Sequence, residues 1–328
     1  MRPVIFPPSN SHLADLADYF LKVDPGSEWR GVEGEVEWRE GGLYTVTGRD
    51  GAAGHSLNTE EIAAYVAKPA DGLAQDIRKV VLKLFSQFLS DSGKTVDYVG
   101  MASSPLWQIF MAMAVQLQRA EVVKLSEDER LAFFINIYNV LVIHGTVKKG
   151  VPANTYQRYK FFSGTSYVIG GRAYSLNEIE NGILRANRSS MATLYRKPFS
   201  KGDPRLEMAL PQAEPRIHFA LNCGAKSCPP IKTFSGAEVQ GQLDVATAAY
   251  LENDDALIID VANNSVKLSQ LFQWYREDFG NSDTEVLAWI RDHLGEPEKK
   301  EQLATLISKG EFKISYITYD WGNNSKEE

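Results

Sequence analysis

The chain is poor in the residues that most often carry redox, metal and acid–base chemistry: its 328 residues hold two cysteines and five histidines. Two thiols make no disulfide framework, so the fold must rest on a packed core. Positive charge is also in deficit, with 35 Lys and Arg against 42 Asp and Glu and a net charge of -7. A broad basic face of the kind that binds nucleic acid is therefore not expected. No window reaches the roughly 18 apolar residues of a membrane span, so none is expected. The opening MRPVIFPPSNSHLADLADYF lacks the apolar centre of a signal peptide, and the closing NNSKEE is no lipidation signal. These absences lead to the expectation of a soluble, reduced, cytoplasmic protein. Walker loops, Gly-x-Gly-x-x-Gly, Gly-x-Ser-x-Gly and His-Glu-x-x-His are missing too, and no cofactor is expected.

What is present is a 44% hydrophobic chain, long enough to bury a large core. Residues 1–68 read as a small N-terminal module. Leu13–Val23 has apolar residues at helical spacing, Val36–Trp38 and Leu43–Val46 alternate across Glu40-Gly41-Gly42 as a hairpin, and Asn58–Glu61 caps a helix over Ile62–Val66. Lys68-Pro69-Ala70-Asp71-Gly72 is the expected boundary. Beyond it, helical spacing runs over Ile77–Leu89 and Leu106–Leu125. Ser126 then caps Arg130–Val147, which is apolar nearly all round and so expected to be central and buried.

Tyr167–Tyr174 turns at Gly170-Gly171, and Ser175-Leu-Asn-Glu178 caps a helix through Leu184–Arg188. Arg216–Phe234 reads as a strand followed by a loop. Later elements are a helix at Leu243–Leu251, paired strands at Ala256–Asp260 and Ser265–Leu268, and a short helix at Leu271–Arg276. Helices at Thr284–His293 and Lys299–Leu306 and a strand at Lys313–Tyr319 complete the reading. The fold class is α+β: one large helix-rich domain over 73–324 with a small mixed sheet, preceded by a small α/β module and followed by a disordered tail at 325–328.

Chemistry gathers in Arg216–Phe234, RIHFALNCGAKSCPPIKTF, which holds both cysteines and His218. Four residues separate Cys223 from Cys228, where thioredoxin-type pairs have two. A disulfide across this loop requires the chain to double back. Zinc is a second option, with His218, Cys223, Cys228 and His144 as ligands. The second Cys-x-x-Cys or His pair of such sites is absent, and no metal is expected. A third option makes Cys223 a nucleophile, with His218 or His144 as base, Glu178 as the acid orienting that base, and Asn222 with local amides holding an oxyanion. Lys226 and Arg216 are cations placed to bind a ligand there. Against all three stands the plain reading of two buried thiols. Asn136 and Asn139 lie inside the apolar helix. Both are candidate binding residues, with direct catalysis the alternative, but buried amides must find partners, so the pair is expected first to tie that helix to neighbouring loops, including the backbone near Cys223.

FFINIYNVLVIH at Phe133–His144, SLNEIENGILR at Ser175–Arg185, Asp203–Arg205, RIHFALNCGAKSCPPI at Arg216–Ile231 and ISYITYDWGNN at Ile314–Asn324 together resemble the family called domain of unknown function 547. The resemblance covers roughly Leu73–Asn324. It implies a fold grouping and the location of a site, and supplies no substrate. The functions left open are a thiol-dependent hydrolase or acyltransferase, a non-enzymatic binding or scaffold domain with an unknown protein or small-molecule partner, and a Cys223/Cys228 redox sensor.

Overall fold

The computed structural model describes residues 35–39, 43–47 and 70–326, apart from 93 and 191–195. The expected helices at 13–23 and 58–66 lie outside the described residues. The expected hairpin is present: β1 (Glu35–Arg39) pairs antiparallel with β2 (Leu43–Thr47). Ala70, Asp71 and Gly72, read as part of a boundary, instead open α1 (Ala70–Phe88).

The core is built around α4 (Glu127–Lys149), which follows α2 (Tyr98–Ser103) and α3 (Pro105–Gln116). The Ser126 hydroxyl accepts the Glu129 N–H while the Glu129 carboxylate accepts the Ser126 N–H, so the capping box is complete. Every residue from Leu131 to Thr146 is buried. By length and composition α4 could cross a membrane, which corrects the expectation that no segment qualifies. Most of its apolar window is buried inside the protein, as befits a core helix.

The helix expected to run to Leu125 stops at Gln116 and continues as short 3-10 turns. Its Leu117 and Gln118 carbonyls accept from the Gly170 and Gly171 amides at the tip of the next hairpin. After α5 (Thr155–Gly164), that hairpin pairs β3 (Ser166–Ile169) with β4 (Arg172–Ser175). Both glycines have positive φ, 56° and 79°, as a two-residue hairpin turn of this type requires. The capped segment that follows is a π-helix, Glu178–Leu184, with Ser175 and Glu178 bonded reciprocally.

The Arg216–Leu221 stretch is no strand. Pro215–Phe219 forms a 3-10 turn capped by Glu214, and Ile217, His218, Phe219, Ala220 and Leu221 are buried in succession. Such a run has no exposed face to alternate with, and its apolar density reflects burial on all sides.

The C-terminal half adds α6 (Val239–Leu251), β5 (Leu257–Asp260), β6 (Ser265–Ser269), α7 (Leu271–Trp274), α8 (Arg276–Phe279), α9 (Asp283–His293), α10 (Pro297–Lys309) and β7 (Lys313–Ile317). β6 is central in this mixed sheet, antiparallel to β5 and parallel to β7. The architecture is the expected α+β, with helices dominating. Of the residues read as a tail, Lys326 donates its N–H to the Val96 carbonyl at 2.8 Å and Ser325 pairs with Val96.

Two apolar clusters meet at the cysteine loop. Ile217, Ala220 and Leu221 join the larger one around α4, whereas Phe219, Ala225 and Cys228 join the one beneath the C-terminal sheet. The loop thus lies on the seam between the two cores.

Candidate functional site

α4 holds the loop through its two buried asparagines. They stand one turn apart, so their side chains share a face. Asn139 accepts the Asn222 N–H at 2.8 Å and donates to the Ala220 carbonyl at 2.9 Å. Asn136 donates to the Phe234 carbonyl at 2.7 Å and accepts its N–H at 2.9 Å. Each amide pairs both its donor and its acceptor with backbone, pinning the loop before and after the cysteines. This is the tie expected from the sequence.

Within the loop, Asn222 donates to the Pro229 carbonyl and accepts the Gly224 N–H, both at 2.8 Å. Gly224 turns the chain back with φ 83°, a conformation natural to glycine. The doubling-back brings the sulfurs of Cys223 and Cys228 to 2.8 Å, and the Cys223 N–H points at the Cys228 sulfur at 3.1 Å. The Tyr319 hydroxyl completes the cluster, 3.2 Å from the Cys228 sulfur and 3.6 Å from that of Cys223. The C-terminal segment straps this loop down: the Lys226 N–H donates to Gly322, the Ser227 N–H to Asp320, and the Asn324 N–H to Gly224.

The electrostatics of the pair are uneven. Burial opposes ionisation of Cys228, but hydrogen bonds from Cys223, Tyr319 and the Cys223 and Ala225 amides outweigh it and bring the thiol down to about 7. Cys223, as the donor to Cys228, is pushed well above the ordinary thiol range by that bond, by burial and by the charge on its neighbour. Tyr319 is held neutral, since burial and the two sulfurs all raise it. Of the two thiols, the buried Cys228 is therefore the one favoured to ionise and the half-buried Cys223 the one favoured to keep its proton.

The remaining residues singled out in the sequence do not converge on Cys223. Among the described residues the Cys223 sulfur has hydrogen-bond partners in Cys228 and Tyr319 and in no histidine. His218 Nε2 pairs with Asp278 at 2.8 Å, and its ring stacks on Tyr275 with centroids 3.9 Å apart. His144 meets the Tyr167 hydroxyl at 2.8 Å and is edged by Trp107 and Phe110. Burial, helped by Lys148 and Lys149, brings its pKa down to about 3. Glu178 accepts from Ser175 and pairs with Arg205, which also holds Asp203. Arg216 is bound by Glu214, Asp244 and Gln240. Of the four residues weighed as zinc ligands the two cysteines meet, while His218 and His144 have other partners, and no metal-holding group of three His, Cys, Asp or Glu occurs among the described residues.

Two buried carboxyl centres were missed in the sequence. Asp278 has no exposed side-chain surface and binds Arg185, Arg188 and His218 together. Burial raises its pKa, but His218 and Arg185 outweigh that and hold the carboxyl well below its ordinary range. Glu180, on the π-helix, accepts from the Tyr138 hydroxyl at 3.1 Å and the Tyr275 hydroxyl at 2.7 Å. Burial first, and then the Glu180 carboxyl, raises the pKa values of both tyrosines well above their ordinary range.

No curated protein and no solved structure matches the chain. Residues 122–251 match the family described as "Protein of unknown function, DUF547", a narrower span than the resemblance drawn from the motifs. That span takes in Asn136, Asn139, Glu180, His218 and both cysteines, while Asp278 and Tyr319 lie beyond it. The stretch that carries the paired thiols is thus similar to the DUF547 family.

Proposed function

We propose that Cys223 and Cys228 form a redox-active dithiol that closes to a disulfide and reopens, and that the domain acts by thiol–disulfide exchange in the reducing cytoplasm. The observation that carries this reading is the 2.8 Å approach of the two sulfurs under one shared tyrosine hydroxyl. Bond formation asks the sulfurs to close to about 2.05 Å. The lowered pKa of Cys228 beside the raised one of Cys223 supports the same chemistry, because the thiolate is the attacking form.

A thiol-dependent hydrolase or acyltransferase centred on Cys223 has less support. It needs a base at that sulfur, and His218 and His144 are engaged by Asp278 and Tyr167. Its oxyanion donor is also engaged, because the Asn222 amide donates to Pro229.

The test is to expose the reduced native protein to the neutral reagent hydroxyethyl disulfide, quench with acid, and map peptides without reductant. A Cys223–Cys228 linked peptide that disappears on adding dithiothreitol is the expected result, with Cys223→Ser and Cys228→Ser as controls. Two free thiols throughout would leave the scaffold reading in its place.

A further inference from the structure

Cys228 lines a small cavity of about 130 Å³. Lys94, Lys226 and Lys232 line it as well, against one carboxylate, Asp255. Lys94 and Lys226 are exposed and Lys232 is half-buried, whereas Cys228 is buried. A concentration of three cations at one opening runs against a chain of net charge -7. A space of this size holds several waters or a small group of atoms, since one water needs only about 10–15 Å³ of it. It admits a sulfur and its adjoining methylene groups and leaves the rest of a ligand at the lysines.

Building on the redox reading, we infer that the oxidant of the dithiol is a small disulfide bearing carboxylates, whose sulfur enters the cavity at Cys228 while its carboxylates meet Lys94, Lys226 and Lys232. The electron balance is that of thiol–disulfide exchange. Cys228, its proton lost to solvent, attacks one sulfur of RSSR, and the S–S bond of the reagent breaks to release RS⁻. That thiolate takes up the proton of Cys223. The Cys223 sulfur then attacks the Cys228 sulfur of the mixed disulfide, forming the Cys223–Cys228 bond and expelling the second RS⁻, which is protonated by solvent. Two protein thiols are oxidised and one disulfide is reduced to two thiols.

The experiment compares three reagents on the reduced full chain: glutathione disulfide (anionic), hydroxyethyl disulfide (neutral) and cystamine (cationic). Each rate of linked-peptide formation is divided by that of the same reagent with a small thiol in solution. At low salt the anionic reagent is expected to lead the cationic one by about tenfold or more. The lead should shrink at high salt and in the Lys94→Gln/Lys232→Gln double variant. Equal normalised rates, or a lead for cystamine, would overturn the inference and leave the redox reading standing. If no reagent produces the linked peptide, both fall.

Discussion

Asn139 and Asn222 are joined across 83 residues of chain by a buried 2.8 Å hydrogen bond, and the loop that carries both cysteines hangs from that contact. Through it the core helix α4 fixes where the chain turns back and therefore how closely the two sulfurs approach.

Replacing Asn139 by Ala strands the Asn222 N–H and the Ala220 carbonyl in the interior. The expected loss is about 2–4 kcal/mol of unfolding free energy, read from urea denaturation. Alkylation of Cys223 in the folded state should also accelerate as the loop loosens. An unchanged urea midpoint and labelling rate would show that the loop is held elsewhere.

Asp278→Asn removes the charge that balances Arg185, whose side chain is only 2% exposed. A buried guanidinium left without its carboxylate costs about 3–5 kcal/mol. Chemical denaturation of the variant at neutral pH measures it, and a cost below about 1 kcal/mol would mean that Arg188 and solvent compensate.

His144 gives a pH dependence of known sign. Its pKa falls from the ordinary histidine value to about 3 in the folded state, so between these limits the unfolded chain binds the extra proton. Its stabilising contribution is present above the unfolded value near 6.5 and is lost as pH falls toward the folded one. Urea midpoints measured between pH 6.5 and 4.5 should drop, by at most about 1.4 kcal/mol per pH unit from this group. His144→Leu should show a flatter profile over that window; a profile as steep as that of the wild type would assign the effect to other groups.

Tyr319→Phe removes a hydroxyl that lowers the Cys228 pKa. Its alkylation profile, centred near the wild-type value of about 7, should move to higher pH. A profile that stays in place would show that the Cys223 thiol and the amides suffice.

Much of the scaffold was legible because its signals are local. Ser126 with Glu129, Ser175 with Glu178 and Gly170-Gly171 each declare a helix start or turn within a few residues. Asn136 and Asn139 were legible for another reason: amides inside an apolar stripe need partners, and the loop supplied them. Asp278 and Tyr319 gave no such signal. One stands 60 residues from His218 and the other 91 from Cys228, in segments of ordinary composition, and only tertiary packing unites them. The Arg216–Leu221 run misled because apolar density alone does not separate a strand from a turn buried on all sides.

The most direct measurement is the equilibrium state of Cys223 and Cys228 across a series of glutathione redox buffers, quenched with acid and read by peptide mass. A redox pair gives one reversible transition between free thiols and the linked peptide, identical when approached from the reduced and the oxidised side. Two free thiols in every buffer, with the native fold intact, would contradict it.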